Sequence, residues 1–495
     1  MQSTQKNSLY LILFALIAIR VFTMIVFPLT DTTEARYAHT AYLMASTNDW
    51  ITPYFDKGIP FWGKPPLSFW TEALSYKIFG FYDFAPRIPS LIFTILTMML
   101  IMKFLKTFYT EVTALWGGIV YFTFLLSFAL SGVVITDPFL AFATTLTMIA
   151  FIMIIQAQPK YWGYLFFLGL ALGLLAKGPL ALVINIGSIV LWILFDFRAR
   201  VRLLKELPWF RGIAIVVLLS FPWYIIAELK TPGFLDYFIV GEHFKRFLYS
   251  GWSGDLYGSA HKYPYGAIWF MWLQASFPWA LLVIYILFKN LSSKSKASDT
   301  LRVFTNNTVL SYFLVHSLFI LLFFTLSGNI LMTYILPALA PLAVLIAIYL
   351  KKIDFSIQYK KINTLWIYTF FVPVVILILG VFASLNTHKL NTQKFIIEHY
   401  ESVAKEGEKL YYIDSINFSS KYYSKDRAIS VITGETNRMQ NAESISFEEF
   451  ELMLNDTSKK KFIVIYKKDL KRIEKLINRP MQEVSKNYKT ILFEI

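Results

Sequence analysis

Eleven apolar segments limit the possible folds of this chain more than any other feature of its sequence. Most of them approach or exceed the ~20 residues that an α-helix needs to cross a bilayer. They lie at about residues 8–29, 86–105, 112–130, 133–156, 160–176, 178–196, 211–228, 264–288, 307–327, 330–350 and 363–385. The closely spaced fourth to sixth segments leave room for split or additional spans. We therefore predict an α-helical polytopic membrane protein with eleven to thirteen transmembrane helices.

Composition agrees with this class and excludes others. Apolar residues make up 56% of the 495 residues and charged residues only 16%, which is too hydrophobic for an ordinary soluble protein. Much of the basic charge behind the net +15 lies in short loops, so it predicts membrane orientation and not nucleic-acid binding. The absence of cysteine excludes disulfides and thiolate metal sites. No small-residue cleavage site follows the first apolar segment, and we expect it to remain as the first span.

Lysine and arginine accumulate in alternate short loops, which the positive-inside rule assigns to the cytoplasm. They are Lys103, Lys106, Lys160, Arg198, Arg200, Arg202, Lys205, Arg211, Lys289, Lys294, Lys296, Arg302, Lys351, Lys352, Lys360 and Lys361. The opposite side then receives the loops 30–85 and 229–263, the turns near Asp137 and Lys177, and everything after about residue 386. We predict that this side is the outer, non-cytoplasmic face of the membrane.

The sequence changes character after residue 388. Short β-rich segments such as KFIVIYKK and YKTILFEI alternate with amphipathic segments such as FEEFELMLN and LKRIEKLIN. This alternation predicts a soluble α/β periplasmic domain over residues 389–495, following a transmembrane catalytic domain over residues 1–388. The smaller domain has no phosphate-cradling glycine motif, so we expect a structural or acceptor-guiding role for it.

The loop 30–85 carries residue types that a lipid-buried helix does not tolerate. Asp31 and Glu34 open the stretch EARYAHTAYLMAS, which predicts a helix lying on the membrane surface. Lys64 follows on a turn that two prolines stiffen, before a second surface helix. Both sites also have simpler interpretations, because Asp31 suits a helix cap and Lys64 suits a cation at the level of the lipid headgroups.

Further charges are expected at the same face. Asp137 and Lys177 each interrupt an apolar stretch, where an ionisable residue is costly in lipid and marks a functional site by default. A helix cap at Asp137 and an interfacial turn at Lys177 are the alternatives. The loop 229–263 adds ionisable residues among aromatics, which a solvated loop would also carry, notably Glu242, His243, Lys245, Arg246, His261 and Lys262.

Carboxylates and cations gathered at one membrane face favour chemistry on a lipid phosphate. Carboxylates act as bases or stabilise positive charge, and Arg or Lys holds phosphate without a divalent ion. We predict that no cofactor is required. A divalent metal is compatible with the composition of the loops, but no compact motif indicates one, and its candidate ligands are Glu242, His243 and His261.

Seven blocks of sequence occur in an order that is typical of a known family. They are TTEARYA, GKPPLSFW, ITDPFLAF, LLAKGPLAL, the run from FPWY to GEHFKRF, AHKYPYG and LMTYILPALAPLAVL, within roughly residues 8–350. The blocks resemble the bacterial aminoarabinose lipid A transferases, within the protein O-mannosyltransferase-like group of GT-C glycosyltransferases. The resemblance implies a GT-C fold with a periplasmic site. It also implies a sugar donor carried on undecaprenyl phosphate, inversion at the anomeric carbon, and an acceptor such as a lipid A phosphate.

The resemblance also implies roles for individual residues. Asp31 resembles the catalytic carboxylate of the first loop, and Glu34 is its rival because the family usually has Asp directly before Glu. Asp137 matches a second carboxylate of the family. The positions that match residues around the donor phosphate or the cavity mouth are Arg36, Lys64, Lys177, Arg246, His261, Lys262 and Tyr334.

Two departures from the family leave the sugar and the acceptor open. Gly63 replaces the acidic residue that often precedes Lys64, which weakens the case for a metal there. Gly328 and Ile330 replace two lysines of close members. A phosphate acceptor needs no base, whereas a hydroxyl acceptor requires Asp31 as the base. Protein or polysaccharide O-glycosyl transfer is therefore an alternative, as is a transporter or flippase for a polyprenyl-linked substrate; a structural envelope subunit is the weakest interpretation.

Overall fold

The structure is a computed structural model that describes residues 2–291, 298, 302, 306–351, 359–434, 444–456 and 460–495. Lys294, Lys296 and Lys352, three of the lysines assigned above to cytoplasmic loops, lie outside these residues. The chain divides into two compact units. The first comprises residues 1–22, 62–68 and 87–377, and the second comprises residues 23–61, 69–86 and 378–495.

Every predicted apolar segment is helical. The corresponding helices are Gln2–Val26, Ile88–Phe108, Glu111–Thr123, Leu125–Leu130, Asp137–Ile155, Tyr161–Lys177, Leu180–Leu194, Trp209–Lys230, Ala267–Ala275, Trp279–Leu291, Thr308–Thr325, Leu336–Leu350 and Tyr359–Leu385. Two predicted segments, 112–130 and 264–288, are each divided into two helices, and the second pair bends by 114°. Within the described residues, seven helices are long and apolar enough to span a membrane, or eight spans if the bent pair is one. The polytopic helical class is confirmed, and the count of eleven to thirteen spans stays a prediction.

Short helices connect these long ones. They are the α-helices Phe197–Arg200 and Arg246–Leu248, the π-helix Asp236–Lys245, and the 3-10 helices Ala85–Arg87, Val201–Glu206, Met332–Ile335 and Thr387–Lys389. The π-helix was not expected from the sequence. Such wide turns are rare and often occur at functional sites.

Close packing of two helices forms the centre of the first unit. In Asp137–Ile155, 17 of 19 residues are buried, so this helix is covered by protein on nearly every side. It packs against Tyr161–Lys177 at Gly169, where an added Cβ would lie 2.3 Å from the Thr147 hydroxyl. The missing side chain lets the two backbones approach. This packing brings the beginning of one helix to the end of the other.

The second unit contains a six-stranded mixed sheet. Its strands follow a small hairpin (β1 Tyr54–Asp56, β2 Ile59–Pro60) and are β3 Lys409–Ile413, β4 Ile429–Ile432, β5 Ser444–Ser446, β6 Lys461–Tyr466, β7 Gln482–Lys486 and β8 Thr490–Glu494. The strand order is β5-β4-β3-β6-β8-β7, with β3 parallel to both β4 and β6 and β8 antiparallel to its neighbours. The four segments quoted from the sequence adopt the expected strand and helix structure.

Helices cover both faces of this sheet, which explains why β6 is apolar on both faces. Its helices are Lys394–Val403, Phe418–Ser424, Phe447–Leu454 and Leu470–Ile477. Tyr411 and Ile413 pack in one core cluster with Phe450 of the third of these helices, and Leu410 packs in the other with Ile396 of the first. Alternation along β3 therefore fills two separate core layers.

Two helices of the first loop also belong to the second unit in whole or in part. Thr33–Thr47 is helical as predicted, and Leu67–Phe79 is the expected second helix. The first of them is not the half-open surface helix that its pattern suggested. Ten of its fifteen residues are buried, since the hairpin and the helix Phe418–Ser424 pack against it.

Candidate active site

Asp137 and Lys177 form an ion pair at the adjoining ends of two helices in the first unit. Asp137 begins one helix and Lys177 ends the next, and the Lys177 ammonium lies 2.5 Å from an Asp137 carboxylate oxygen. Both residues are buried. The positive end of one helix dipole meets the carboxylate and the negative end of the other meets the ammonium, so the helices stabilise both charges. The two isolated charges of the sequence are thus one pair.

Gly178 and His243 fix the turn that follows this pair. Gly178 has a φ of +72°, and a Cβ there would lie 2.7 Å from the Phe238 ring. One ring nitrogen of His243 lies 3.0 Å from the Lys177 carbonyl oxygen and the other lies 2.7 Å from that of Phe238. Burial lowers the pKa of His243. The imidazole therefore ties the π-helix to the Lys177 turn, and both of its nitrogens are directed at carbonyl groups.

Glu242 lies between two cations. An Arg246 guanidinium nitrogen donates to its two carboxylate oxygens at 3.1 and 3.0 Å, and the Lys64 ammonium is 3.6 Å away. Burial alone would raise the pKa of Glu242, but the charges of Lys64 and Arg246 outweigh burial and lower it. Conversely, burial opposes the charge of Arg246, yet the neighbouring carboxylate raises its pKa. The three side chains form one charged cluster.

Asp255 and Tyr237 complete the cluster, and no pattern in the sequence marks either of them. Asp255 accepts an ion-pair contact from Arg246 at 3.2 Å, and the Tyr257 backbone N–H donates to Asp255 at 3.0 Å. The Tyr237 hydroxyl donates to Glu242 at 3.2 Å. Within the whole cluster, only the contact between Glu242 and Arg246 could be predicted from the sequence, because a spacing of four residues suits an ion pair on a helix.

Lys64 is carried by a turn that belongs to the first unit. The backbone N–H of Trp62 donates to the Tyr257 hydroxyl at 3.0 Å, and its indole N–H donates to Thr231 at 3.1 Å. The Lys64 ammonium also donates to the Gly63 carbonyl at 2.6 Å. The bulky Trp62 anchors the turn, and the prolines after Lys64 restrict it.

A cavity of about 350 Å³ lies against these cations. Lys64, Lys177 and Arg246 line it together with Glu242 and Tyr334, and the Lys177 ammonium is 5.2 Å from the centre of the Tyr334 ring. The rest of the lining is mainly apolar, from Leu180, Val183, Phe244, Phe247, Leu248, Phe323 and Phe324. Three cations beside an apolar wall suit a ligand with an anionic head and a hydrocarbon tail.

Asn329 holds the chain at one side of the cavity. Its side-chain amide donates to the carbonyl oxygens of Arg246 at 2.5 Å and Tyr249 at 2.6 Å, and its oxygen accepts from the Gly251 N–H at 2.8 Å. The neighbouring Gly328 leaves no room for a side chain, because a Cβ would lie 2.7 Å from the Ser250 hydroxyl. Ile330 is fully buried. The positions of the two lysines that the resemblance led us to expect, Gly328 and Ile330, are thus occupied by closely packed residues without charge.

His261 and Lys262 lie outside the cluster. Both side chains are exposed, and neither residue lines the cavity. Their backbones join the segment around Asn329, with Ile330 N–H donating to the His261 carbonyl at 3.2 Å. The metal ligands proposed from the sequence are also not assembled: within the described part of the chain, no three His, Cys, Asp or Glu side chains are grouped to hold a metal ion.

The first-loop carboxylates belong to the second unit. The Asp31 carboxylate accepts hydrogen bonds from the Ser419 backbone N–H at 2.9 Å and from the Ser419 hydroxyl. Burial raises the pKa of Asp31, although these hydrogen bonds oppose the shift. Glu34 is also buried, and the Thr30 N–H lies 3.4 Å from one of its oxygens. Asp31 does not cap the helix Thr33–Thr47, since Ser419 occupies its carboxylate.

Arg36 is enclosed by aromatic rings of the second unit. Its guanidinium lies 5.2 Å from the centre of the Tyr37 ring, 5.8 Å from that of Phe61 and 6.0 Å from that of Phe418. Such cation–π contacts stabilise the charge in a buried setting. Its predicted role in binding the donor phosphate stays a prediction.

More polar pairs join the first loop to the C-terminal segment within this unit. Asp56 forms a buried ion pair with Lys421, and a ring nitrogen of His39 lies 2.8 Å from Asp426. The Lys394 ammonium lies 2.8 Å from Asp83. The helix Phe418–Ser424 and the residues beside it thus contact the first loop through side chains that no local pattern would pair.

Comparisons with known proteins agree with the fold. A family model described as "Dolichyl-phosphate-mannose-protein mannosyltransferase" matches residues 7–238. The chain is 32% identical over 327 residues to an "Undecaprenyl phosphate-alpha-4-amino-4-deoxy-L-arabinose arabinosyl transferase" of Aeromonas salmonicida, covering 65% of this chain and 56% of that protein. For a protein of the same name from Aeromonas hydrophila, the identity is 30% over 372 residues, covering 73% and 63%. The chain therefore spans less than two thirds of these relatives.

A solved structure shares the fold over nearly the whole chain. It is ArnT from Cupriavidus metallidurans, crystallised with undecaprenyl phosphate, and it superposes with a TM-score of 0.80 over 99% of this chain and 98% of that one. The sequence identity is 13%, so this likeness concerns the fold. Its apo crystal structure gives a TM-score of 0.77. The chain thus has the GT-C fold of ArnT, and over part of their length it is similar in sequence to the aminoarabinose transferases.

Proposed function

We propose that the chain is an integral-membrane glycosyltransferase that moves a sugar from a polyprenyl phosphate donor to an acceptor, with inversion. The cavity lined by Lys64, Lys177 and Arg246 beside an apolar wall is the observation that carries this proposal. Cationic forks and ammonium groups suit a phosphate, and the aromatic and aliphatic lining suits the first units of a polyprenyl chain. Undecaprenyl phosphate bound to the related ArnT supports the same class of donor.

The chemistry follows from where charge develops. The acceptor oxygen attacks the anomeric carbon, the bond from that carbon to the phosphate oxygen breaks, and the electron pair stays on the phosphate. Three preorganised cations that line the cavity stabilise that growing negative charge more strongly than water does. The positive charge on the sugar ring requires a carboxylate, for which Asp31 and Glu34 remain the predicted groups.

Asp137 has a different role in this proposal. Its carboxylate is held by the Lys177 ammonium at 2.5 Å, so its position is fixed. We assign it to positioning the Lys177 ammonium at the cavity wall. A base is required only for a hydroxyl acceptor, because a phosphate acceptor is already ionised.

The acceptor proposed first is lipid A, with the cavity and residues 389–495 facing the periplasm of a bacterial inner membrane. The alternate basic loops support that orientation, and the naming of the relatives after an aminoarabinose donor supports a cell-envelope acceptor. The cavity supports transfer over transport, because its charges are fixed by ion pairs at helix ends. A protein or glycan acceptor on the same fold is the second candidate.

The test compares lipid A from cells that carry the native chain, Lys64→Ala or no copy, at matched expression. A sugar-sized mass increment present only with the native chain is the expected result, since Lys64 lines the proposed phosphate site. Lys262→Ala, which removes an exposed cation that does not line the cavity, should keep the increment. Identical lipid A in the native and deleted strains would refute the lipid A acceptor, and mass spectra of envelope proteins and glycans would then locate the true one.

The choice between the first-loop carboxylates needs a separate comparison. Asp31→Asn and Glu34→Gln preserve shape and remove charge. The variant that abolishes transfer while leaving donor binding intact identifies the carboxylate that stabilises the sugar. Retained transfer in both variants would exclude the first loop from the chemistry.

A further inference from the structure

Glu242 occupies the place between the cavity cations where an anion would be expected to bind. Both of its carboxylate oxygens accept from Arg246, and Lys64 is 3.6 Å away. It is also a lining residue of the cavity, and its side chain is 7% exposed. A carboxylate and a phosphate compete for the same donors, because both present paired oxygens to a guanidinium or ammonium.

The second carboxylate on Arg246 is placed differently. Asp255 contacts the same guanidinium nitrogen at 3.2 Å but is not among the residues that line the cavity. A backbone N–H holds it in turn, from Tyr257 at 3.0 Å. Asp255 therefore holds Arg246 without lining the cavity, whereas Glu242 contacts Arg246 and also lines the cavity.

The charges of the cluster cancel. Lys64, Lys177 and Arg246 carry three positive charges, and Asp137, Glu242 and Asp255 carry three negative ones. The lowered pKa of Glu242 means that it is ionised at neutral pH. A phosphodiester donor adds one negative charge to this neutral cluster and a phosphomonoester product adds up to two, so like-charge repulsion rises from donor to product.

We propose that Glu242 is a resident competitor for the phosphate site, which the donor displaces and which helps to expel the product lipid phosphate. The proposal rests on the proposed function and deepens it by assigning how the phosphate enters and leaves. When the phosphate is bound, the carboxylate gives up its contacts with Arg246 and Lys64. When it returns, the cations regain an internal partner and the doubly charged product loses its own.

Binding of undecaprenyl phosphate to the purified full chain in nanodiscs tests the idea directly. Glu242→Gln should bind this probe roughly tenfold more tightly than the native chain, since the variant removes a negative charge and keeps the side-chain shape. Its first turnover should match that of the native chain or exceed it, and its steady-state rate should fall because the product leaves more slowly. Unchanged or weaker binding in Glu242→Gln would overturn the proposal and make Glu242 a structural partner of Arg246.

Two matched variants separate competition from a general effect of lost charge. Asp255→Asn removes the supporting carboxylate and should weaken binding severalfold, because Arg246 becomes less fixed. Glu228→Gln removes a carboxylate that accepts from the Gly233 and Leu235 N–H groups, and it should bind like the native chain. Equal tightening in all three variants would refute a specific role for Glu242.

Inorganic phosphate serves as the second probe and separates this inference from the proposed function. If the native chain and Glu242→Gln both fail to bind undecaprenyl phosphate but the variant gains affinity for inorganic phosphate, the competitor role stands and the lipid donor is wrong. If undecaprenyl phosphate binds both proteins equally, the donor stands and the competitor role is wrong.

Discussion

Two half-buried carboxylates, Glu242 in the first unit and Asp31 in the second, are held in opposite ways. Cations surround Glu242 and lower its pKa against the effect of burial. Asp31 accepts from a hydroxyl and a backbone N–H of Ser419, and burial raises its pKa despite these bonds. Similar burial thus favours the ionised form in one region and the protonated form in the other, because Lys64 and Arg246 outweigh burial at Glu242, whereas the Ser419 hydrogen bonds and the charge of Lys489 do not outweigh it at Asp31. The difference suggests a charged site in the first unit and a structural junction in the second.

The largest effect on sugar transfer is expected at Arg246, because this cation contacts Glu242 directly. Arg246→Ala should reduce sugar transfer by about a hundredfold or more, because it removes a preorganised donor at the phosphate and leaves two carboxylates facing the cluster. Transfer assays with purified protein at matched amounts measure this loss. Arg246→Lys keeps the positive charge but lacks the paired donors of the guanidinium, so its transfer activity should lie between those of the native chain and Arg246→Ala. Native activity in Arg246→Ala would show that the charged cluster takes no part in sugar transfer.

A large effect on stability is expected in the second unit, at the buried pair of Asp56 and Lys421. Asp56→Asn leaves the buried ammonium without its counter-charge, which costs about 3–5 kcal/mol in comparable cases. Hydrogen exchange of residues 409–434 in the full chain should accelerate. Glu483→Gln breaks an exposed pair with Lys486 and should change protection by less than about 1 kcal/mol. Equal effects of the two variants would mean that the buried pair is not structural.

A smaller effect is expected at Ser419. Ser419→Ala removes the hydroxyl that donates to Asp31 and should destabilise the second unit by about 1.5–3 kcal/mol, as for hydrogen bonds to charged groups. Hydrogen exchange over residues 28–47 should report it, because Asp31 lies at the start of that segment. Ser446→Ala removes the N-cap of Phe447–Leu454, costs about 1 kcal/mol and should leave residues 28–47 unchanged. Loss of protection there in both variants would contradict a local role for Ser419.

The smallest effect concerns pH, and its sign differs between the two regions. A raised folded-state pKa means that Asp31 binds more protons in the folded than in the unfolded protein between that pKa and the ordinary value of 3.8, so the second unit should gain stability as pH falls through the raised pKa toward 3.8. The lowered pKa of Glu242 gives stability above its ordinary value of 4.5 that is lost as pH falls through its folded-state pKa. Hydrogen exchange between about pH 7 and pH 3 should show these opposite slopes, that of Asp31 above its ordinary value of 3.8 and that of Glu242 below its ordinary value of 4.5. Asp31→Asn should flatten the first slope, and an unchanged slope would contradict its assignment to Asp31.

The sequence predicted the helical membrane class because apolar length is a local property. It also predicted the alternation of strands and helices after residue 388, although it missed β5, β7 and the helix Lys394–Val403. The division of two apolar segments and the π-helix were not predicted, since they depend on how neighbouring helices pack. The association of residues 23–61 and 69–86 with the C-terminal segment in one unit was also missed, because pairs such as Asp56 and Lys421 are separated by hundreds of residues.

The sequence predicted individual residues of the site but not the contacts between them, because those contacts join distant parts of the chain. Lys64, Lys177, Arg246 and Tyr334 were each singled out, and they line one cavity. Intramembrane charge marked Asp137 and Lys177 separately, but only the close helix packing shows that they neutralise each other. Asp255 gave no signal, because a carboxylate in a glycine-containing loop looks solvated. Glu242 was considered only as a metal ligand, and its contacts with Arg246 and Lys64 give it another role.

The neutral cluster has a consequence for selectivity in a membrane. Phospholipid headgroups also carry phosphodiesters, and they greatly outnumber any sugar carrier in a bilayer. Three uncompensated cations would attract such headgroups from every side and fill the cavity with them. Because Glu242 already pairs with Arg246 and Lys64, the charge of a phosphodiester alone is not enough to displace it, and an incoming lipid must make further contacts with the cavity. The resting cavity thus excludes abundant lipids by being already neutral, and admits those whose sugar and chain add contacts that the headgroups of bulk lipids lack.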